Sequence, residues 1–289
     1  MKNLMALMEF EKIQNFIQET CGIEFDDQKS GLLERKLNWI IKNTPNTTLE
    51  ELYFKICLRK DTELIQSLIE NIAVNETFWF RDAAPWLILE KILIPEYINE
   101  FRAKKRYRVR IWSAACSYGQ EPYSIAMCID NYLKKHDITD IRLSDFEIVA
   151  TDISKNALEI ARQGKYDSIS MSRGIDESYK QKYFVCEDRS WKISDEIIRA
   201  IDFRHFNLIS DSMNYDEFDL VYCRNVMIYF SEKNKREIYN KIYKSMKTKG
   251  TLFIGSAEIL DDYSQFFSME QNEIGVYFTK KEQMKNEFF

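Results

Sequence analysis

The chain is poor in the residues that build metal centres. It has only two histidines, His136 and His205, and its six cysteines at positions 21, 57, 116, 128, 186 and 223 form no C-x-x-C pair, so no zinc-ligand spacing is present. The cysteines read as reduced thiols. No run of about 18 apolar residues occurs, which leaves no candidate for a spanning helix. Met1 to Phe10 includes Glu9 and has no cleavage-site pattern, and a cytoplasmic protein is the expectation. Excess positive charge is also missing: 41 Lys and Arg stand against 46 Asp and Glu, a net charge of -5. That balance argues against a protein whose main task is gripping nucleic acid. The local exception is Lys104, Lys105, Arg106, Arg108 and Arg110, read either as a solvated connection between a helix and a strand or as a phosphate contact. No internal repeat or low-complexity tract interrupts the chain.

What is present suits a large domain preceded by a small one, in 289 residues that are 45% hydrophobic and 30% charged. Residues 1–73 read as helical throughout. Four helices fit, from Leu4 to Thr20, Asp27 to Lys42, Leu49 to Leu58 and Thr62 to Ala73, with breaks at Cys21-Gly22 and Asn43-Thr44-Pro45-Asn46. Thr48 followed by Glu51 is a capping-box start signal. A further helical block runs from Pro85 to Lys104.

After Tyr107 the rhythm changes to strand then helix. Strands are expected at Arg108 to Ser113, Phe146 to Thr151, Phe218 to Cys223, Thr251 to Gly255 and Val276 to Phe278. Helices are expected at Glu121 to Lys135, Ser154 to Gln163 and Glu232 to Met246. This alternation predicts an α/β fold, a doubly wound and largely parallel sheet over residues 74–289. Within about 179–206, the pieces Tyr183 to Val185, Trp191 to Ile193 and Ile201 to Phe206 read as a small antiparallel β insertion.

Several places break the apolar pattern where chemistry needs them to. In Phe218 to Phe230, an apolar strand runs into Arg224-Asn225 and resumes as Val226-Met227-Ile228-Tyr229-Phe230. Polar groups at the carboxyl end of a strand in an open α/β sheet point into the ligand crevice. Between the first strand and its helix lies Trp112 to Ser124, rich in small residues but with Gly119 as its one glycine. It fails both the dinucleotide and the P-loop fingerprints, so the loop is either a tight turn or a cradle for a ligand without phosphate. Asp152 directly follows the second strand, placed to accept from ribose hydroxyls or to cap a helix, a role for which Ser154 is also available. Arg81, beside Phe78, Trp79 and Phe80, is either a cation on a ring face or a site residue. Lys29, Arg35, Lys36 and Lys42 form a basic set on one helix, whose acidic pair Asp26-Asp27 suits its first turn.

Together these motifs resemble the CheR family of chemotaxis receptor (methyl-accepting chemotaxis protein) glutamate O-methyltransferases. The family's Cys-Arg-Asn-Val-Met-Ile-Tyr-Phe run stands unbroken at Cys223 to Phe230, with Trp112-Ser113-Ala114-Ala115, Glu121-Pro122-Tyr123-Ser124, Thr151-Asp152-Ile153 and Asn75 to Arg81 in order. Trp79 takes the first of two paired aromatic positions in that last segment. The resemblance implies a Rossmann-like S-adenosylmethionine-dependent methyltransferase domain behind a small all-helical domain. It implies a cofactor site of Asn75, Thr77, Arg81, Glu121, Asp152, Asn207, Leu208, Arg224 and Asn225, with Arg81 and Tyr229 near the reacting groups. Composition alone, with 16 tyrosines, favours Tyr229 as core. The implied reaction makes glutamate γ-methyl esters and S-adenosylhomocysteine for sensory adaptation, without metal. The implied partners are cytoplasmic receptor helices, met by the basic helix with Lys29, Arg35 and Lys36, at membrane-bound receptor arrays. Direct membrane insertion is not expected. Some members hold a receptor tail pentapeptide through a glycine-containing turn; Val185-Cys186-Glu187-Asp188-Arg189-Ser190 has no glycine, so tethering is not expected here. A non-catalytic scaffold, and a methyltransferase of small molecules or RNA, are the competing functions.

Overall fold

The computed structural model describes residues 2–25, 27–43, 47–58, 60–214, 217–260 and 265–282. Asp26 and the expected break at Thr44, Pro45 and Asn46 lie outside them, as does the side chain of Lys29.

The helical half consists of α1 (Lys2–Cys21), α2 (Asp27–Asn43), α3 (Leu49–Tyr53) continuing as a π-helical turn, Phe54–Leu58, and α4 (Thr62–Ile72). Thr48 and Glu51 exchange the two hydrogen bonds of a capping box at the start of α3. Ile13, Ile17, Leu33, Leu37, Leu52, Ile56 and Leu68 close into one apolar cluster. The block after it is α5 (Ala83–Ile88), a π-helical turn at Leu89–Leu93, and α6 (Ile94–Arg102).

The second half begins β1 (Val109–Ala114), α7 (Gln120–Lys135), β2 (Phe146–Asp152), α8 (Lys155–Gln163). It continues through β3 (Lys165–Asp167), α9 (Ser168–Met171), α10 (Glu177–Tyr183), β4 (Phe184–Glu187), β5 (Ser190–Ile193), α11 (Asp195–Arg199) and β6 (Ile201–His205). It closes with β7 (Phe218–Cys223), α12 (Glu232–Ser245), β8 (Met246–Phe253), β9 (Phe267–Gln271) and β10 (Val276–Lys280). The main sheet runs β6-β2-β1-β7-β8-β10-β9. Its first five strands are parallel, and β10 and β9 add antiparallel at one edge.

Both faces of this sheet are covered, which is why its central strands read as unbroken apolar runs. Along β7, Leu220 and Tyr222 enter the cluster beneath α5, α6 and α7, while Val221 and Cys223 enter the one beneath α12. Strand order reverses between β1 and β7, and their carboxyl ends diverge there into a crevice.

The small sheet differs from the expectation at two strands, since β3 at Lys165–Asp167 lies outside the expected 179–206 insertion and Ile201 to His205 leaves it. Its order is β3-β5-β4, antiparallel, whereas Ile201 to His205 is β6, paired parallel with β2 in the main sheet. The basic run is divided between the fold and solvent, with Lys104, Lys105 and Arg108 exposed as in a solvated connection. Arg106 pairs with Glu100 and Asp219, Arg108 with Glu147, and Arg110 with Glu147 and Glu217. Among the described residues no helix is long and apolar enough to cross a membrane.

Candidate functional site

All ten residues expected at a site line one cleft over the ends of β1, β2 and β7: Asn75, Thr77, Arg81, Glu121, Asp152, Asn207, Leu208, Arg224, Asn225 and Tyr229. Five segments, within 75–86, 115–121, 152–153, 206–208 and 224–230, build its walls together with the helical half.

The loop from β1 to α7 is held in an uncommon conformation. Ala115, Ser117 and Gly119 all take positive φ, at 59°, 52° and 88°, which is costly for the first two and free for the glycine. A Cβ at Gly119 would stand 2.9 Å from that of Ala161, so only glycine lets α7 start so close to α8. Asp152, 6% exposed, braces the loop: Oδ2 accepts from Ser117 N at 2.7 Å and Oδ1 from Ser154 N at 2.8 Å. Burial pushes its carboxyl above the ordinary aspartate range, against those two backbone donors. Ser154 is the cap of α8, with Oγ accepting from Ala157 N, so Asp152 does not cap that helix.

Residues 75–82 cross the cleft as a strap. Trp79 anchors it, fully buried and edge-on to Tyr166 and Phe184 at 4.8 and 5.2 Å. Ser117 Oγ donates to the carbonyl of Asn75 at 2.8 Å, and Phe80 and Asp82 turn the chain with positive φ. Arg81 lies 5.1 Å from the Phe78 ring centroid.

Arg224 ties the strap to the sheet. Its side chain is 1% exposed; Nη1 donates to Glu121 Oε2 at 2.9 Å, and Nη2 to Asp82 Oδ2 at 2.9 Å and to the Arg81 carbonyl at 2.5 Å. Nε is buried without a partner among the described residues. Glu121 also accepts from Ser113 Oγ at 2.8 Å. Burial raises its carboxyl, with Arg224 pulling the other way. Asn225 sits at φ 58°, in a turn chelated by Glu258, whose carboxylate accepts from the backbone N–H of Asn225, Met227 and Gly255 at 2.9, 2.7 and 2.6 Å. That role of Glu258 had no local signal in the sequence. Tyr229 is half-buried, and burial raises its phenol while Arg81 opposes the shift.

The helical half closes the remaining wall. Cys21, Ile23 and Phe25 line the cleft, and Ile23 forms a β-bridge with Phe230. Asn207 Nδ2 donates to the Thr20 carbonyl at 2.7 Å and its Oδ1 accepts from Ile209 N, so this amide joins the two halves. On α2, Arg35 and Lys42 are exposed, whereas Lys36 turns inward, donating to the Ile72 carbonyl at 3.1 Å.

Two family models match the chain: the all-alpha domain of CheR methyltransferase over residues 8–73 and its SAM-binding domain over residues 75–276. The chain is 34% identical over 275 residues to "Chemotaxis protein methyltransferase Cher2" of Pseudomonas putida, covering 95% of this chain and 98% of that one. It is 35% identical over 277 residues to "Chemotaxis protein methyltransferase 1" of Pseudomonas aeruginosa, covering 96% and 99%. With both domain models in order and relatives aligned nearly end to end, the chain belongs to the CheR methyltransferase family, with an S-adenosylmethionine-binding domain and the helical domain that precedes it.

Proposed function

We propose that this protein methylates glutamate side chains of chemotaxis receptors, using S-adenosylmethionine and giving glutamate γ-methyl esters and S-adenosylhomocysteine. The observation that carries the reading is the placement of Asp152, Glu121, Arg81 and Tyr229 around one cleft at the point where strand order reverses.

The donor set fits this cofactor. Ile153, Phe206 and Leu208 offer apolar surface for an adenine, and each Asp152 oxygen keeps a lone pair for a ribose hydroxyl beyond its backbone bond. Glu121 and the unpartnered Arg224 Nε suit the amino and carboxylate groups of a zwitterion, with Asn75, Thr77 and Asn225 on the same walls. The glycine-poor loop agrees with a ligand that has no phosphate.

When bound, S-adenosylmethionine supplies a methyl carbon on a positively charged sulfur. Held along the wall of Asp152, Glu121 and Arg224, it would offer that carbon to an acceptor carboxylate with the sulfur as leaving group, a transfer that would need no proton to move. Glutamate has an ordinary pKa of about 4.3 and is ionised at neutral pH, so the protein needs no general base. Its task is alignment and the exclusion of water. Arg81 orients the acceptor carboxylate, and Tyr229 holds the donor end. The exposed Arg35 and Lys42 on α2 present positive charge to acidic receptor helices, placing the enzyme at membrane-bound receptor arrays from the cytoplasmic side.

Incubation with radiolabelled S-adenosylmethionine and receptor cytoplasmic fragments tests the reading. Label released by mild base marks a carboxyl ester. Base-stable label excludes carboxyl methylation, and no label leaves a non-catalytic scaffold.

A further inference from the structure

Two arginines share one aromatic ring at the mouth of the cleft. The guanidinium carbons of Arg81 and Arg173 lie 5.1 and 5.2 Å from the centroid of Phe78, and Arg173 Nη2 donates to Glu76 Oε1 at 2.9 Å. Arg173 belongs to the loop between α9 and α10, far from the strap in sequence, and its delivery is built into the backbone. Trp79 N donates to the Arg173 carbonyl at 3.2 Å. Next to it, Gly174 has φ 84°, and a Cβ there would stand 2.0 Å from the Trp79 carbonyl oxygen, so only glycine lets the loop lie flat on the strap.

Glu76 lines the cleft. Its carboxylate is held below its ordinary range by the hydrogen bond from Arg173, then by the charges of Arg173 and Arg81. Tyr229 stands in the field of Arg81 and Glu76 alike. The cleft wall therefore carries a glutamate side chain already paired with an arginine, and Arg81 and Tyr229 line the same cleft.

We propose that Arg173 is a second binding group for the acceptor carboxylate, and that Glu76 is an internal stand-in which the acceptor glutamate displaces from it. The proposal rests on the glutamate reading above. A guanidinium fork matches a carboxylate whichever chain the carboxylate comes from. The Arg173 and Glu76 side chains are 46% and 65% exposed, so exchanging one solvated carboxylate for another costs little. Once displaced, Glu76 remains a nearby negative charge and weakens acceptor binding; Arg173 strengthens it.

The two partners of this ion pair are therefore distinguishable. Both Glu76→Gln and Arg173→Ala break the same bond, yet they are expected to move the KM for a receptor fragment in opposite directions. Glu76→Gln lowers it about threefold, and Arg173→Ala raises it about tenfold, the scale of one charge-assisted hydrogen bond. Arg173→Lys falls between Arg173→Ala and the unsubstituted protein. S-adenosylmethionine affinity by calorimetry, and kcat, stay within about twofold in all three, as for changes in uniform acceptor binding. KM shifts in the same direction for Glu76→Gln and Arg173→Ala, or a common loss of cofactor affinity, would reveal a purely structural pair and overturn the proposal while leaving glutamate methylation standing. No base-labile product from the unsubstituted protein overturns both.

Discussion

Arg224 Nη1 meets Glu121 Oε2 at 2.9 Å behind an arginine side chain only 1% exposed, so the ion pair in the floor of the cleft is shielded from solvent. The same guanidinium holds Asp82 and the Arg81 carbonyl, linking β7, α7 and the strap through one group.

Truncation at this point strands Glu121 without its counter-charge. Arg224→Ala is expected to lower the unfolding free energy by about 3–5 kcal/mol, read from urea midpoints. Adding Glu121→Gln should recover part of that loss, because an uncompensated charge is then no longer buried. An unchanged midpoint in Arg224→Ala would contradict the shielding.

Asp152 predicts a pH dependence. Burial raises its carboxyl, and a protonated carboxyl accepts hydrogen bonds less well than a carboxylate. Cofactor affinity should therefore fall as pH drops through that raised value. Asp152→Asn should bind about 10- to 100-fold more weakly, with the pH slope gone; calorimetry at several pH values checks both. Stability of the free protein follows the opposite course. With the folded pKa above the unfolded one, the contribution of this carboxyl is fully present at low pH and is lost as pH rises through the raised value.

Arg81 and Tyr229 separate positioning from binding. Arg81→Ala should cut methylation of receptor fragments about 100-fold while changing cofactor affinity far less, and Tyr229→Phe should lower kcat about tenfold with affinity kept. Equal loss of rate and affinity would make either residue a cofactor contact only.

The hairpin of β4 and β5 turns at Asp188, which takes φ 55° without a glycine. A peptide copying a receptor tail is expected to give no measurable heat at micromolar concentrations. A saturable titration would show that this turn tethers after all.

Much of this was legible in the residues, and the gaps have physical causes. The central strands declared themselves because both faces are buried, as in Phe218 to Cys223. By contrast β6 alternates buried and exposed positions at an edge, a pattern that antiparallel strands share, so its parallel pairing was hidden. In β9 only Phe267 is fully buried, too little for an apolar signal. At the site, residue types could be read but not their partners. The sequence shows Arg224 but not that Glu121, more than one hundred positions earlier, pairs with it. Asn207 looks free until the Thr20 carbonyl is found on its amide. The strain at Ala115 and Ser117 had no trace in residues that ordinarily avoid positive φ. Lys36 belonged to a basic set on α2, yet its ammonium closes the end of α4.

The bridge between Ile23 and Phe230 has a consequence for engineering. The border between the two domain models falls at the rim of the cleft, and Cys21, Ile23 and Phe25 from the first supply the surface that dries the second. Grafting a foreign leading domain onto residues 75–276 would remove the cleft wall that Cys21, Ile23 and Phe25 supply, so the two segments must be exchanged together.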